Sequence, residues 1–152
     1  MSFDQELKNL MKKKGRNVNA NFPRALILGL EWVSVGYSSA LYFAGKKFGK
    51  EIVAKELKGK DMKSALKEVT DFFKSFGIGK LTVKDFDDRK ATLSLKDGVT
   101  SSGMSSVGKP VCFFESGLIA GILEGRLNKN VTVTETRCGG LGSSEDEFLV
   151  KV

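Results

Sequence analysis

Two cysteines, Cys112 and Cys138, are the only thiols in the 152-residue chain, and a carboxylate, Glu135, stands three places before the second, in the run TETRCGGLGSSEDEF. Thiolates and carboxylates are donors that a structural zinc site uses. Read as a strand, NVTVTETR puts Val131, Val133, Glu135 and Arg137 on one side and Thr132, Thr134 and Thr136 on the other. The valines belong on the core face, and they carry Glu135 in with them. An ionised carboxylate there is costly unless it is paired or bound to a cation. Other arrangements satisfy the same alternation. The strand can end early and leave Glu135 at a wet edge, Arg137 can pair with it, or Lys109 can reach it. Each thiol, in turn, reads equally well as a small buried hydrophobe.

The chain lacks histidine altogether. That excludes Ser-His and Cys-His catalysis, a His-ligated haem and any His-containing metal site within it. A general base would have to be Asp, Glu, Lys, Tyr or Cys. GGLGSS lacks the strand-to-helix setting of a dinucleotide fingerprint. The surplus of +7 charges lies in scattered segments, KNLMKKKGR, GKKFGK and KELKGKDMK, each beside acids or helix signals. It reads as a solvated lysine-rich surface rather than a nucleic-acid interface. The start of the chain, MSFDQELKNLMKKKGR, is charged and amphipathic, unlike a signal peptide, and no apolar run reaches membrane-spanning length. A cytoplasmic protein with no transmembrane segment is expected.

The elements that position these residues follow from periodicity. Residues Ser2 to Lys14 predict a short helix with Phe3, Leu7, Leu10 and Met11 as its stripe. Pro23 opens PRALILGLEWVSV, and YSSALYFAGKKFGKEIVAKEL is a second helix whose Gly45 and Gly49 let another backbone approach. Asp61 caps DMKSALKEVTDFFKSFG, in which Met62, Leu66, Val69, Phe73 and Phe76 face inward. The period then changes to two in KLTVKDF and KATLSLK, a hairpin around DDR. Residues 97–109 read as a Gly- and Ser-rich loop. Pro110 introduces the apolar helix VCFFESGLIAGILEGRL, and NVTVTETR and EFLVKV close the chain as strands. Helices, hairpin, helix, hairpin predict an α+β domain, an antiparallel sheet of about four strands covered by helices on one face. One domain over residues 1–152 is expected, with 1–21 as an N-terminal helix and loop extension and 24–152 as the core.

Three segments carry a resemblance to a known family: LYFAGKKFGKEI, GKPVCFFESGLIAGILEGRL and VTVTETRCGGLGSSEDEFLV. They resemble the Gly-x-x-x-Gly helix, the cysteine-entered glycine-rich helix and the terminal hairpin of 4-vinyl reductase-type domains. That family is related in fold to small subunits of the TRAPP tethering complex and to ligand-binding domains of nitric-oxide sensors. Zinc-binding members use a pattern resembling Cys-x22-Glu-x2-Cys-x7-Cys. Cys112, Glu135 and Cys138 fall on its first three positions, and Asp146 falls on the fourth, where the family has cysteine. Two thiolates and two carboxylates make a harder, weaker site that tolerates other divalent ions. Glu145 or Glu147 could serve in place of Asp146, or the zinc could be lost.

The resemblance further implies a non-catalytic module, a homodimer, that binds a hydrophobic small molecule in a pocket between helices and sheet. The residues named for that pocket are Trp32, Phe43, Ile119, Leu123 and Val133. The competing reading is a scaffold or tethering subunit that acts through protein–protein contacts, as TRAPP components do. A reductase is suggested by the family name alone.

Overall fold

The computed structural model describes residues 2–152. Five helices run in chain order: α1 (Phe3–Lys12), α2 (Asn21–Val33), α3 (Gly36–Phe48), α4 (Met62–Ser75) and α5 (Phe113–Leu127). Four strands, β1 (Lys80–Phe86), β2 (Lys90–Lys96), β3 (Thr132–Arg137) and β4 (Asp146–Lys151), form one antiparallel sheet in the order β1-β2-β4-β3. The α+β class and the one-sided helical cover are as the patterning predicts. Leu81, Ala91, Leu93, Leu95, Val133, Phe148 and Val150 point into the core, while Thr82, Thr92 and Glu147 face away. The strand order is a topological finding: β4 does not merely pair back on β3 but inserts between β3 and β2.

Local signals account for most of the elements. Asp61 accepts from Ser64 N at 2.9 Å, and the Ser64 side chain reaches back to Asp61 N, a complete capping box for α4. Its apolar stripe buries Met62, Leu66, Val69 and Phe73, but Phe76, beyond the last turn, is half exposed. The predicted helix from Tyr37 ends earlier than its sequence suggests. After Phe48 the chain widens into a π turn, Gly49–Val53, and then a short 3-10 turn, Ala54–Glu56. The apolar helix begins at Phe113, not at Pro110, because Val111 and Cys112 stay outside the helix and leave Cys112 as its N-cap residue with φ −90° and ψ 48°.

The close crossing of α3 and α5 sets the layer that carries the site. A Cβ on Gly117 would run into the Tyr42 carbonyl, one on Gly121 into the Lys46 carbonyl, and one on Gly45 into the Phe114 carbonyl. Backbone therefore lies directly on backbone, and glycine is required for approach rather than for φ. This crossing holds the start of α5, with Cys112, against the end of β3.

Candidate metal centre and the adjoining cavity

Four side chains meet where α5 begins, β3 ends and β4 starts. One donor atom each from Cys112, Glu135, Cys138 and Asp146 lies within 4.8 Å of every other. Around a tetrahedral zinc with bonds of about 2.0–2.3 Å, ligand atoms sit roughly 3.3–3.8 Å apart, so the set needs only a small contraction. The structure thus brings together all four residues named from the sequence. Glu145 and Glu147 point to the other face and pair with Lys84 at 3.0 and 3.1 Å. Strand alternation turns the middle acid of this run inward and its neighbours out.

Each residue has an identifiable reason for its place. Val133 and Glu135 share the inner face of β3, and Glu135 opposes Phe148 of β4. A register shift between Glu135 and Arg137 then bulges the strand. Arg137 is thrown outward, 4.0 Å from Glu145, and does not pair with Glu135. Glu135 Oε2 accepts from Cys112 N at 3.2 Å, while its Oε1 is buried without a partner. Cys138 enters the one-turn helix Gly139–Leu141, and its sulfur accepts from Gly140 N at 3.2 Å. Asp146 accepts from Ser101 Oγ at 2.5 Å and from Gly139 N at 3.0 Å.

The electrostatics are those of a crowded acid cluster with little compensation. Burial raises Glu135 to about 9, with the Cys138 thiol adding to the push. The hydrogen bond between the two thiols holds the Cys112 proton, well above the ordinary thiol range, and burial adds to it. The same bond, accepted by Cys138, moves that thiol down. A divalent cation would displace these protons, because only the deprotonated groups are ligands.

Four further residues belong to the site and were not read from the sequence. Thr100 and Ser101, consecutive and buried, hold Glu115 and Asp146 respectively. Glu115 is fully buried, raised to about 7 by burial, and keeps Oε2 unpartnered. Glu31 is the one buried residue of α2. Burial raises it to about 7 against the opposing pull of Lys109, and both its oxygens lack a partner. Glu115 had a visible signal, as the single charge in PVCFFESGLIAGIL. Ser101 and Thr100, in a Gly- and Ser-rich loop, had none.

Beside Glu135 opens a cavity of about 400 Å³. Tyr42 and Phe43 of α3, Phe113 and Ser116 of α5, and Val133 of β3 line it, with Glu135 at its inner end. Of the pocket residues named from the sequence, Phe43 and Val133 are at this cavity. Ile119 and Leu123 are fully buried in the core beneath it, and Trp32 stands outward from α2, 90% exposed. A side chain on a helix that packs little of its surface has no cavity to fill.

The family model of the 4-vinyl reductase domain matches residues 92–152. That segment holds most of β2, the loop after it, α5, β3 and β4, and therefore every donor of the cluster. Among curated proteins, MJ0150 of Methanocaldococcus jannaschii is 34% identical over 129 residues, covering 85% of this chain and 73% of the relative. MJ1642 of the same organism is 29% identical over 144 residues, covering 93% and 83%. Among solved structures, a vinyl-4-reductase family protein of the same organism superposes with a TM-score of 0.66 at 22% identity, over 98% of this chain and 93% of that one. The phenol-responsive sensory domain of the transcription activator PoxR, solved with phenol, gives 0.66 at 16% identity, over 91% and 77%. Trafficking protein particle complex subunit 3 of Naegleria fowleri, covalently bound to palmitic acid, gives 0.68 at 17%, over 97% and 95%. At these identities the structural likenesses establish a shared fold.

Proposed function

The chain belongs to the 4-vinyl reductase-domain family, and from that premise we propose that it is a non-catalytic module holding a small hydrophobic molecule in the α3–α5–β3 cavity, beside a structural zinc site. The observation that carries the reading is Glu135. Its Oε2 ties β3 to the start of α5, its unpartnered Oε1 is buried among two thiols and an aspartate, and its stem lines the cavity. One residue therefore joins the metal cluster to the ligand space.

The donor set fits a divalent ion. Cys112, Glu135, Cys138 and Asp146 would hold it, and four protein donors leave no open position for a substrate, which makes the role structural. Bound zinc supplies positive charge to a cluster otherwise short of it. The chain's own residues do the rest. Ser101 and Gly139 N–H orient Asp146, Gly140 N–H orients Cys138, and the Cys112 N–H orients Glu135. Tyr42, Phe43 and Phe113 give the cavity an apolar, aromatic wall, and Ser116 with Glu135 gives it polar groups that fix a ligand's orientation. A phenol-bound sensory domain of the same fold supports the class of ligand.

Elemental analysis with native mass spectrometry on untagged protein tests this. The expected result is about one zinc per chain, lost in Cys138→Ser and in Glu135→Gln. A wild-type chain without metal sinks the zinc site and leaves the cysteines as core residues. The same spectra show any carried-over hydrophobic molecule.

A second reading, a scaffold that works through protein contacts, draws on α2. Phe22, Leu26, Trp32 and Val33 on that helix are 58–90% exposed, an apolar face that another chain would cover. We take the first occupant of that face to be a second copy, giving a homodimer. Higher assemblies, together with purified protein that holds no small molecule, would favour the scaffold.

A further inference from the structure

Helix α1 presents an apolar stripe to solvent. None of its residues is buried, and Phe3 is 94% and Leu10 52% exposed, while Met11 alone packs partly on the core. A ten-residue helix in water is marginal by itself and is stabilised by what covers its apolar face. Between α1 and α3 with its π turn lies an open groove of about 1120 Å³, with Leu7, Phe43 and Ile52 on its apolar side.

The rim of this groove is basic. Lys8, Lys46 and Lys55 pair with Asp4, Glu124 and Glu51. Lys47 and Lys50, on the same rim, form no ion pair among the described residues. Lys13, Lys14 and Arg16, directly after α1, are exposed as well. An apolar stripe flanked by free cations on a peripheral helix has the chemistry of an interfacial helix.

We propose that α1 and the groove rim form a docking surface for an anionic lipid bilayer. Phe3, Leu7 and Leu10 enter the boundary between headgroups and acyl chains, and Lys13, Lys14, Lys47 and Lys50 face the lipid phosphates. Charge complementarity selects this occupant over a second copy of the chain. A second copy brings the same lysines to the contact, and like charges repel there, whereas an anionic leaflet neutralises them. The proposal is independent of the metal cluster and its cavity.

Flotation of the full chain with phosphatidylcholine vesicles, with and without phosphatidylglycerol, tests it. The chain is expected to float with the anionic vesicles, to stay behind with the neutral ones, and to be released by high salt. Leu10→Asp should lower partitioning by about tenfold or more. Lys13→Glu with Lys14→Glu should lower it by at least about fivefold for each site. Because α1 buries nothing, these variants keep the wild-type thermal midpoint, and the lysine pair lies outside the helix altogether. Equal binding to both vesicle types, or a Leu10→Asp chain that floats like wild type, overturns the proposal. So does a wild-type chain that stays unbound while Leu10→Asp changes its oligomeric mass, a result that assigns the stripe to a second copy.

Discussion

Asp146 enters the cluster with both oxygens already held, one by Ser101 and one by the Gly139 N–H. Such a carboxylate is oriented as a ligand without strain in β4, but it is a harder donor than the thiolate that relatives resembling this chain carry there. Asp146→Cys is therefore expected to raise zinc affinity about tenfold or more, and Ser101→Ala to lower it about 10–100-fold, both read by competition with a chromophoric chelator. Unchanged affinity in both variants would remove Asp146 from the ligand set. The unpartnered acids make a second prediction, for chelator-treated protein. Glu115 and Glu31 titrate near 7 in the fold and near 4.5 when unfolded, so the folded state keeps their protons longer. Their contribution is complete below about 4.5 and is lost as the pH rises through about 7. Glu115→Gln keeps the group neutral, and it should stabilise the metal-free protein by about 1–2 kcal/mol above pH ~7 while changing little below pH ~4.5. Thermal melts across that window check the sign. Glu135, Cys138 and Asp146 were legible because alternation and spacing are local. Ser101 and Thr100 were not, since their partners lie 45 and 15 residues away and loop composition does not say what a hydroxyl will reach.

Among the elements, the α3–α5 crossing tolerates the least change. The atoms that a Cβ would meet there are backbone carbonyls, which cannot rotate aside. Gly117→Ala and Gly121→Ala should each cost about 3 kcal/mol, seen as a lower urea midpoint at unchanged slope. Asp61→Ala should cost only about 1 kcal/mol, because it removes one cap from a helix whose stripe is otherwise intact. Both features were visible beforehand, the cap as an acid before an amphipathic run and the glycines as a spaced pair on one helix. The π turn after Phe48 and the bulge after Glu135 were not. Each is a response to packing partners distant in sequence, and neither residue composition nor period announces them. The bulge matters most, for without it Arg137 would share the face of Glu135 and neutralise it.

At the scale of the molecule, charge and apolar surface divide between faces. The surplus of lysines reads from composition as an evenly solvated coat, and part of it instead gathers around α1 and its groove. The apolar face of α2 is the larger departure, since helical periodicity there was read as core and Trp32 stands almost wholly in solvent. If a second copy covers it, Trp32→Asp should shift the protein from dimer to monomer in sedimentation without loss of bound metal. An anchor of this size typically costs about 2 kcal/mol or more at an interface. The sheet order β1-β2-β4-β3 has a consequence for biosynthesis. A ribosome makes β2 and β3 before the strand that joins them, so during synthesis both wait as open edges, and α5 lacks the floor it packs on. The seam closes only when β4 emerges, bringing Asp146 to the cluster in the same movement. Sheet completion and assembly of the donor set are thus a single late event, and until it happens the nascent chain exposes two strands that chaperones must keep apart from their neighbours.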